Sequence, residues 1–280
     1  MEKIDLNGLY EDYLKKVVKD NPSKYSDVES LEVDIGHLTD LWENTPELKL
    51  NSLSPREFVA DLAVKHELYD YAEDCLEAGF EVADVVCFEL LKQPDVEEFL
   101  ARLLVSEIKD AQMLGAVLLR EKGGEKVIDV FLEAIINPNY NDEVKKIAYE
   151  FLCESEPTVV DKILALINDI KESEQGILVE IMAEYKGNKA VFFWLVTMLF
   201  RAEDVALYAK LLGKYEDETA IDILKSFATD NDINYVEYVE IRNAVERLGG
   251  EFDIEKDFTN DELYAYLKGA DITDPEADVQ

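Results

Sequence analysis

The chain has 280 residues, with 63 Asp and Glu against 28 Lys and Arg, which gives a formal net charge of −35 at pH 7. This charge excludes the nonspecific nucleic-acid binding that Lys- and Arg-rich surfaces provide, and it disfavours contact with anionic membranes. With 48% apolar residues but only 12 Gly and 7 Pro, the composition predicts a folded chain and argues against an all-β protein.

The chain carries no sequence signal for export or for membrane insertion. Its start, MEKIDLNGLYEDYLKK, lacks an apolar segment behind a basic one, so no secretory signal is predicted. The longest apolar run, at 190–200, has 11 residues, whereas a bilayer span needs about 20. Cys75, Cys87 and Cys153 are odd in number and widely spaced, which favours free thiols. We therefore expect a cytoplasmic protein.

Apolar residues recur every three or four positions, and no alternating strand pattern appears, which predicts an all-α protein. The predicted helices span 6–19, 26–44, 55–65, 67–78, 82–92, 95–107, 110–121, 125–137, 142–154, 157–171, 174–185, 188–201, 204–214, 218–229 and 235–248. The stretch Ser54-Pro55-Arg56-Glu57 predicts a helix start with a capping box, and Thr259-Asn260-Asp261-Glu262 repeats that pattern near the end of the chain.

Residues 1–93 do not fit a clear repeat, and we predict a helical N-terminal region that is either a cap or a set of degenerate repeats. Residues 94–250 are the predicted repeat array. Residues 251–280 carry 10 acidic against 2 basic residues and are predicted to be an acidic tail with one short helix. Its last ten residues are predicted to be disordered.

The repeat is visible in two phrases that align without a gap, MAEYKGNKAV at 182–191 and LGKYEDETAI at 212–221. Apolar anchors near the starts of alternate helices recur at steps of 32, 32, 31 and 30, at Val96, Ile128, Val160, Val191 and Ile221. The intervening helices share a second frame, Gln112-Ala116-Leu119, Val144-Ala148-Phe151, Gln175-Val179-Met182, Val205-Ala209-Leu212 and Ile241-Val245-Leu248. Two helices per unit of about 30–45 residues are typical of an α-solenoid, in which each unit buries its apolar faces against its neighbours. The small residues Ala116, Ala148 and Ala209 predict close approach of adjoining helices.

Several phrases resemble the HEAT repeat, particularly its phycobilisome-lyase type. They include Ile136-Asn137-Pro138-Asn139 followed by Val144-Lys145-Lys146-Ile147-Ala148, and Ile241-Arg242-Asn243-Ala244-Val245 followed by Leu248-Gly249. The resemblance covers about 95–250 and implies an α-solenoid of HEAT-like helix pairs, an alpha-alpha superhelix. The motif's Arg is replaced by Lys145, Gly176 and Ala206 in three repeats. The motif specifies packing, so it implies a fold and leaves the activity open.

Residues that could carry chemistry are sparse. Asp34 and His37 have a carboxylate–His spacing used in di-iron bundles, but such sites need a second copy and further carboxylates. His66, Cys75 and Cys87 are an alternative zinc set, although no Cys-x-x-Cys or His-x₃-His accompanies them. No phosphate-binding or nucleophile motif occurs. We therefore predict no catalytic residue, no bound cofactor and no metal.

The second helices of the predicted repeats suggest a binding surface. In solenoids that this chain resembles, second helices line the concave face, and here their outward positions are mildly basic within a very acidic molecule. The candidate partner-binding residues are Lys145, Tyr149, Glu180, Lys210, Arg242 and Glu246. Apolar residues lie between them in sequence, at Ile177, Ile181, Leu207 and Leu211. The alternative interpretation is packing between stacked repeats.

The predicted function is a non-enzymatic scaffold that binds a protein or peptide along this mildly basic strip. We expect no nucleic-acid partner and no membrane partner. Three alternatives stay open: a lyase-type or metal-dependent HEAT-like enzyme, an acidic DNA mimic, and a scaffold that binds a basic protein through its acidic outer face.

Overall fold

A computed structural model describes residues 4–171, 175–201 and 204–270, and the predicted disorder of the last ten residues falls outside these ranges. Within them the chain forms sixteen α-helices and two short 3₁₀-helices. Its extended pairing is limited, over the same ranges, to one isolated bridge between Glu47 and Leu53. The predicted all-α class is confirmed. None of the described helices is both long and apolar enough to cross a membrane.

The chain divides into two compact units, Met1–Ala148 and Tyr149–Gln280. The helices that begin in the first unit are α1 Leu6–Asp20, α2 Val28–Glu43, α3 Pro55–Val64, α4 Leu68–Glu77, α5 Asp84–Leu90, α6 Val96–Leu104, α7 Lys109–Lys122, α8 Glu125–Ile136 and α9 Asp142–Glu154. Those of the second unit are α10 Thr158–Leu166, α11 Gly176–Met182, α12 Lys189–Leu199, α13 Val205–Tyr215, α14 Ala220–Asp230, α15 Tyr235–Arg247 and α16 Glu262–Ala270. The 3₁₀-helices are Leu48–Leu50 and Ile167–Asp169.

Capping side chains set several of these boundaries. Helix α3 begins at Pro55 because Ser54 and Glu57 form the predicted capping box: Glu57 N–H donates to Ser54 Oγ at 3.3 Å, and Ser54 N–H donates to Glu57 Oε2 at 2.9 Å. In α16 the predicted cap is wrong by two residues. Tyr264 N–H donates to Asp261 Oδ1 at 3.0 Å, whereas Thr259 is held in a turn by Asp257.

Replacing Ser54 with alanine should lower the free energy of unfolding by about 1 kcal/mol, because Ser54 is buried and its oxygen satisfies a free backbone donor of the first helical turn. Urea denaturation followed by circular dichroism measures this. Ser23→Ala, at an exposed turn position, is the matched control and should change stability by less than about 0.5 kcal/mol. Equal stability of the two variants would contradict the capping role.

The two sequence frames fall mostly on buried residues. Val96, Ile128, Val160 and Val191 are buried, as an anchor requires. Ile221 is only half-buried, and its neighbour Ala220 is fully buried instead. In the second frame all five central residues are fully buried, at Ala116, Ala148, Val179, Ala209 and Val245.

In the second unit, the two repeated phrases contact each other in register. Lys214 Nζ lies 2.5 Å from Glu184 Oε1, and Lys186 Nζ lies 2.6 Å from Glu216 Oε1. Between these ion pairs, the Tyr215 hydroxyl donates to the carbonyl oxygens of Tyr185 at 3.3 Å and Asn188 at 2.7 Å. Three consecutive positions, 184–186, therefore each meet the residue thirty places later. We call these contacts the register ladder. The two phrases share the tyrosine of this ladder, whereas the charges on either side of it are exchanged, which lets Lys and Glu pair.

Helices α13 and α15 of this unit approach each other at a glycine. A β-carbon on Gly213 would lie 2.8 Å from the Cα atom of Ala244, closer than such atoms come in proteins. In the first unit, a β-carbon on Gly115 would lie 2.8 Å from the carbonyl oxygen of Leu100. The predicted alanines are buried, and at Gly115 and Gly213 the backbone of a neighbouring helix leaves no room for a side chain.

Candidate binding surfaces

The predicted strip is distributed over both units. Lys145 is half-buried on α9 in the first unit, and the other five candidates lie in the second. Of those five, Lys210 and Glu246 are exposed, whereas Tyr149, Glu180 and Arg242 are half-buried. On α15, Arg242 Nε lies 3.8 Å from Glu246 Oε1, so these two candidates are adjacent.

Tyr149 lies close to another candidate of the same unit. Burial raises the pKa of the Tyr149 phenol, and the neighbouring Cys153, Glu180 and Glu184 raise it further. Tyr149 therefore stays protonated at neutral pH and can act as a hydrogen-bond donor, with Glu180 among its neighbours.

The apolar members of the strip separate into two groups. Ile181 and Leu211 are buried, so they belong to the packing of the second unit and are unable to meet a partner. Ile177 and Leu207 are half-buried and keep part of their surface open. The burial of Ile181 and Leu211 agrees with a packing role for these two residues.

A small cleft lies between α13 and α15, with a volume of about 230 Å³. It is lined by Lys210, Gly213, Glu240, Asn243, Ala244 and Arg247. As far as the structure describes this unit, neither Lys210 nor Arg247 forms an ion pair. Glu240 lines the same cleft, and Lys186, helped by the charge of Arg247, lowers the pKa of Glu216. The cleft therefore has a mixed charge in which Lys210 and Arg247 can still meet an anion.

A larger groove of about 550 Å³ lies within the first unit, between helix α7 and the segment that runs from the end of α4 through α5. We call it the acidic groove. Its lining residues are Leu76, Gly79, Phe80, Glu81, Val82, Asp84, Cys87, Phe88, Asp110, Met113, Leu114, Val117, Leu118 and Glu121. It lies apart from the strip that the sequence predicts.

Helix α7 forms one wall of the acidic groove with a single face. Its lining residues stand at positions 110, 113, 114, 117, 118 and 121, the spacing of one side of an α-helix. Asp110 and Glu121 are at the two ends of this face, and the four positions between them are apolar. Val117 is 49% exposed, Met113 and Leu114 are half-buried and Leu118 is buried, so part of the apolar stripe is open to a partner.

The opposite wall comes from α5 and the turn before it. Phe88 on α5 is 57% exposed although it is a large apolar side chain. The turn depends on Gly79, whose φ of +72° suits glycine, and the N–H of Phe80 donates to Cys75 O at 2.9 Å to close α4. The turn after α4 places Phe80, Glu81 and Val82 on the wall of the groove opposite α7.

The rim of the acidic groove carries charge of one sign. Glu81, Asp84, Asp110 and Glu121 line it together with no Lys or Arg. These four carboxylates form no ion pair with any residue that the structure describes. Burial raises the pKa of the Cys87 thiol to about 12, and the charges of Asp84, Glu121 and Glu81 contribute. Cys87 is therefore a protonated thiol and not an activated nucleophile.

The residues considered for metal binding do not converge. Over the described ranges, no group of three or more His, Cys, Asp or Glu side chains is arranged to hold a metal ion, so His66, Cys75 and Cys87 form no such site. His66 is exposed, and Cys75 is buried. Asp34 instead pairs with Lys24 and accepts a hydrogen bond from the Tyr25 hydroxyl at 3.0 Å, so its role is structural.

Comparison with known proteins gives no assignment. No protein-family model, no curated protein and no solved structure matches this chain.

Proposed function

We propose that this chain is a non-enzymatic helical-repeat scaffold that binds a protein or peptide, with the helix pairs of 94–250 forming a HEAT-like α-solenoid. The register ladder supports the stacking of repeats, because residues thirty places apart contact each other at three consecutive positions. A stacked array exposes one continuous surface per helix layer, which suits the binding of an extended or helical segment.

The observation that carries the proposal is the exposed apolar surface on the two walls of the acidic groove, which we call its apolar floor. Phe88 and Val117 line a concave space of about 550 Å³, and about half of each side chain is exposed. Covering apolar surface contributes about 25 cal/mol per Å², and concave sites lined by apolar side chains are where ligands bind. The groove offers surface to a partner but no activated group for a reaction.

The alternatives have less support. A DNA mimic presents carboxylates in place of phosphates, but here the carboxylates surround an apolar floor that a protein segment would cover better. A metal-dependent enzyme would need a ligand cluster, and the described residues provide none. A cytoplasmic location is part of the proposal, because no cysteine of the described residues forms a disulfide, which fits a reducing compartment.

A second candidate surface is the cleft between α13 and α15. Lys210 and Arg247 form no ion pair with a described residue and suit a carboxylate of a bound peptide, and Lys210 belongs to the predicted strip. This cleft is smaller, at about 230 Å³, and lacks exposed apolar side chains among its lining residues. It ranks below the acidic groove.

Selection from a library of random displayed peptides tests the proposal with purified protein. We expect enriched peptides that bind the wild type and lose binding to Phe88→Ser, because that variant removes exposed apolar surface of the groove. Lys210→Glu is the matched comparison in the other unit and should leave these peptides bound. If no peptide is enriched over immobilised carrier protein, the binding function is wrong. If the enriched peptides lose binding to Lys210→Glu, the binding site is the cleft between α13 and α15.

A further inference from the structure

We infer that the acidic groove receives an amphipathic helix of a partner protein, about three turns long, with an apolar face between Lys or Arg residues at both ends. The inference rests on the proposed function and names the class of ligand. It follows from the length of the groove and from the charge of its rim. The acidic charge of the chain's own end and of a second copy argues against these two as occupants.

The length of the ligand follows from helix α7. Its lining positions run from 110 to 121, eleven residues apart, which at 1.5 Å per residue is about 16 Å. A partner helix that lies along this face matches that length with about three turns. Its apolar residues at helical spacing would cover Met113, Leu114 and Val117 from above, in the helix-in-groove mode of recognition.

The charge of the ligand follows from the rim. Asp110 and Glu121 stand at the two ends of the α7 face, and Glu81 and Asp84 stand on the opposite wall. Basic residues at the two ends of a bound helix would meet these four carboxylates, which no described residue neutralises. Exposed charge pairs contribute little affinity each, so the apolar floor supplies binding while the rim selects the sequence and speeds association.

Other occupants are disfavoured by their charge. The chain's own end, from 251 to 280, has 10 acidic and 2 basic residues and would be repelled by the rim. A second copy of the chain carries the same net charge of −35, so docking through this groove would bring like charges together. The ligand is therefore a segment of a different, basic protein.

Three synthetic peptides of about sixteen residues test the inference by fluorescence anisotropy with the full chain. The first has Leu at helical spacing and two Lys at each end; the second replaces those Lys with Glu; the third keeps Lys and replaces Leu with Ser. We expect only the first to bind, and its affinity to fall as salt increases, because the charge contribution is screened. The other two should bind at least about ten-fold more weakly.

Two sets of protein variants locate the site. Asp110→Asn with Glu121→Gln should weaken the first peptide about three- to ten-fold, the range expected for two exposed charge pairs. The matched control is Asp70→Asn with Asp20→Asn, which removes the same charge from the first turn of α4 and the last turn of α1, outside the groove, and should leave binding unchanged. Val117→Ser should weaken binding without unfolding the protein, because Val117 is half exposed.

Each result has a distinct meaning. If the groove variant and the control variant lose the same affinity for the first peptide, the peptide is attracted by the net charge of the protein, and the inference is overturned. Equal binding of the Lys- and Glu-ended peptides, lost in Val117→Ser, would keep the groove as a peptide site and overturn the charge requirement alone. Absence of binding by the first peptide would overturn the inference, whereas the proposed function is decided separately by the library selection.

Discussion

Replacing Gly213 with alanine should lower the free energy of unfolding of the second unit by about 1–3 kcal/mol, the range typical of overpacking. The added β-carbon would lie 2.8 Å from the Cα atom of Ala244 and 2.9 Å from its Cβ atom. The first of these atoms belongs to the backbone of α15, so no side chain can rotate away. The two helices must separate, and buried contacts around Leu212 and Val245 are lost with them.

The measurement is urea denaturation followed by the fluorescence of Trp194, with Trp42 replaced by phenylalanine so that only the second unit is observed. Gly176→Ala is the matched control in the same unit, because nothing lies within 4 Å of its added β-carbon. That variant should be as stable as the wild type or more stable by up to about 1 kcal/mol. A Gly213→Ala protein as stable as the Gly176→Ala protein would contradict the close packing of α13 on α15.

Replacing Tyr215 with phenylalanine should lower the same free energy by about 0.5–1.5 kcal/mol, because it removes the hydrogen bonds that the buried hydroxyl donates to two carbonyl oxygens. Tyr215 is 2% exposed, and its hydroxyl reaches Asn188 O at 2.7 Å and Tyr185 O at 3.3 Å. Burial raises the pKa of this phenol, so the hydroxyl stays protonated and donates throughout the neutral pH range. The aromatic ring is retained, so the loss measures the hydroxyl and not the packing.

Tyr266→Phe is the control for this variant, since Tyr266 is 72% exposed on α16. It should change stability by less than about 0.5 kcal/mol. If Tyr215→Phe behaves like the control, the Tyr215 hydroxyl does not stabilise the junction between the two repeated phrases.

Much of the helical architecture could be predicted because its signals are local. The start of α3 follows from Ser54, Pro55 and Glu57, which lie within four residues of each other and define a cap whatever surrounds them. The predicted cap of α16 was wrong because the same local pattern can form another structure. Thr259 fits the capping-box pattern, but its hydrogen bonds to Asp257 hold it in a turn before the helix begins. Spacing likewise predicted the buried central residues of the second frame, such as Ala148 and Ala209.

The binding surfaces were harder to predict, because they depend on which helices pack together. Periodicity placed Ile181 and Leu211 outside the core of a helix pair, but the packing of neighbouring helices buries both. The acidic groove arises where α5, outside the recognisable repeat, stands across from α7. One signal was present in the sequence: Asp110 and Glu121 terminate an apolar stripe at helical spacing, a pattern that marks a partly open helix face.

The in-register stacking of repeats is tested most directly by zero-length cross-linking of the native protein with a carbodiimide. This reagent joins a lysine amine to a carboxylate in direct contact. Peptide mass spectrometry should find Lys186 joined to Glu216 and Lys214 joined to Glu184, since these pairs lie 2.6 Å and 2.5 Å apart. Both joins connect residues thirty places apart. Cross-links from Lys186 and Lys214 only to acidic residues of their own repeats, with neither thirty-residue join, would contradict the stacked arrangement on which the scaffold proposal rests.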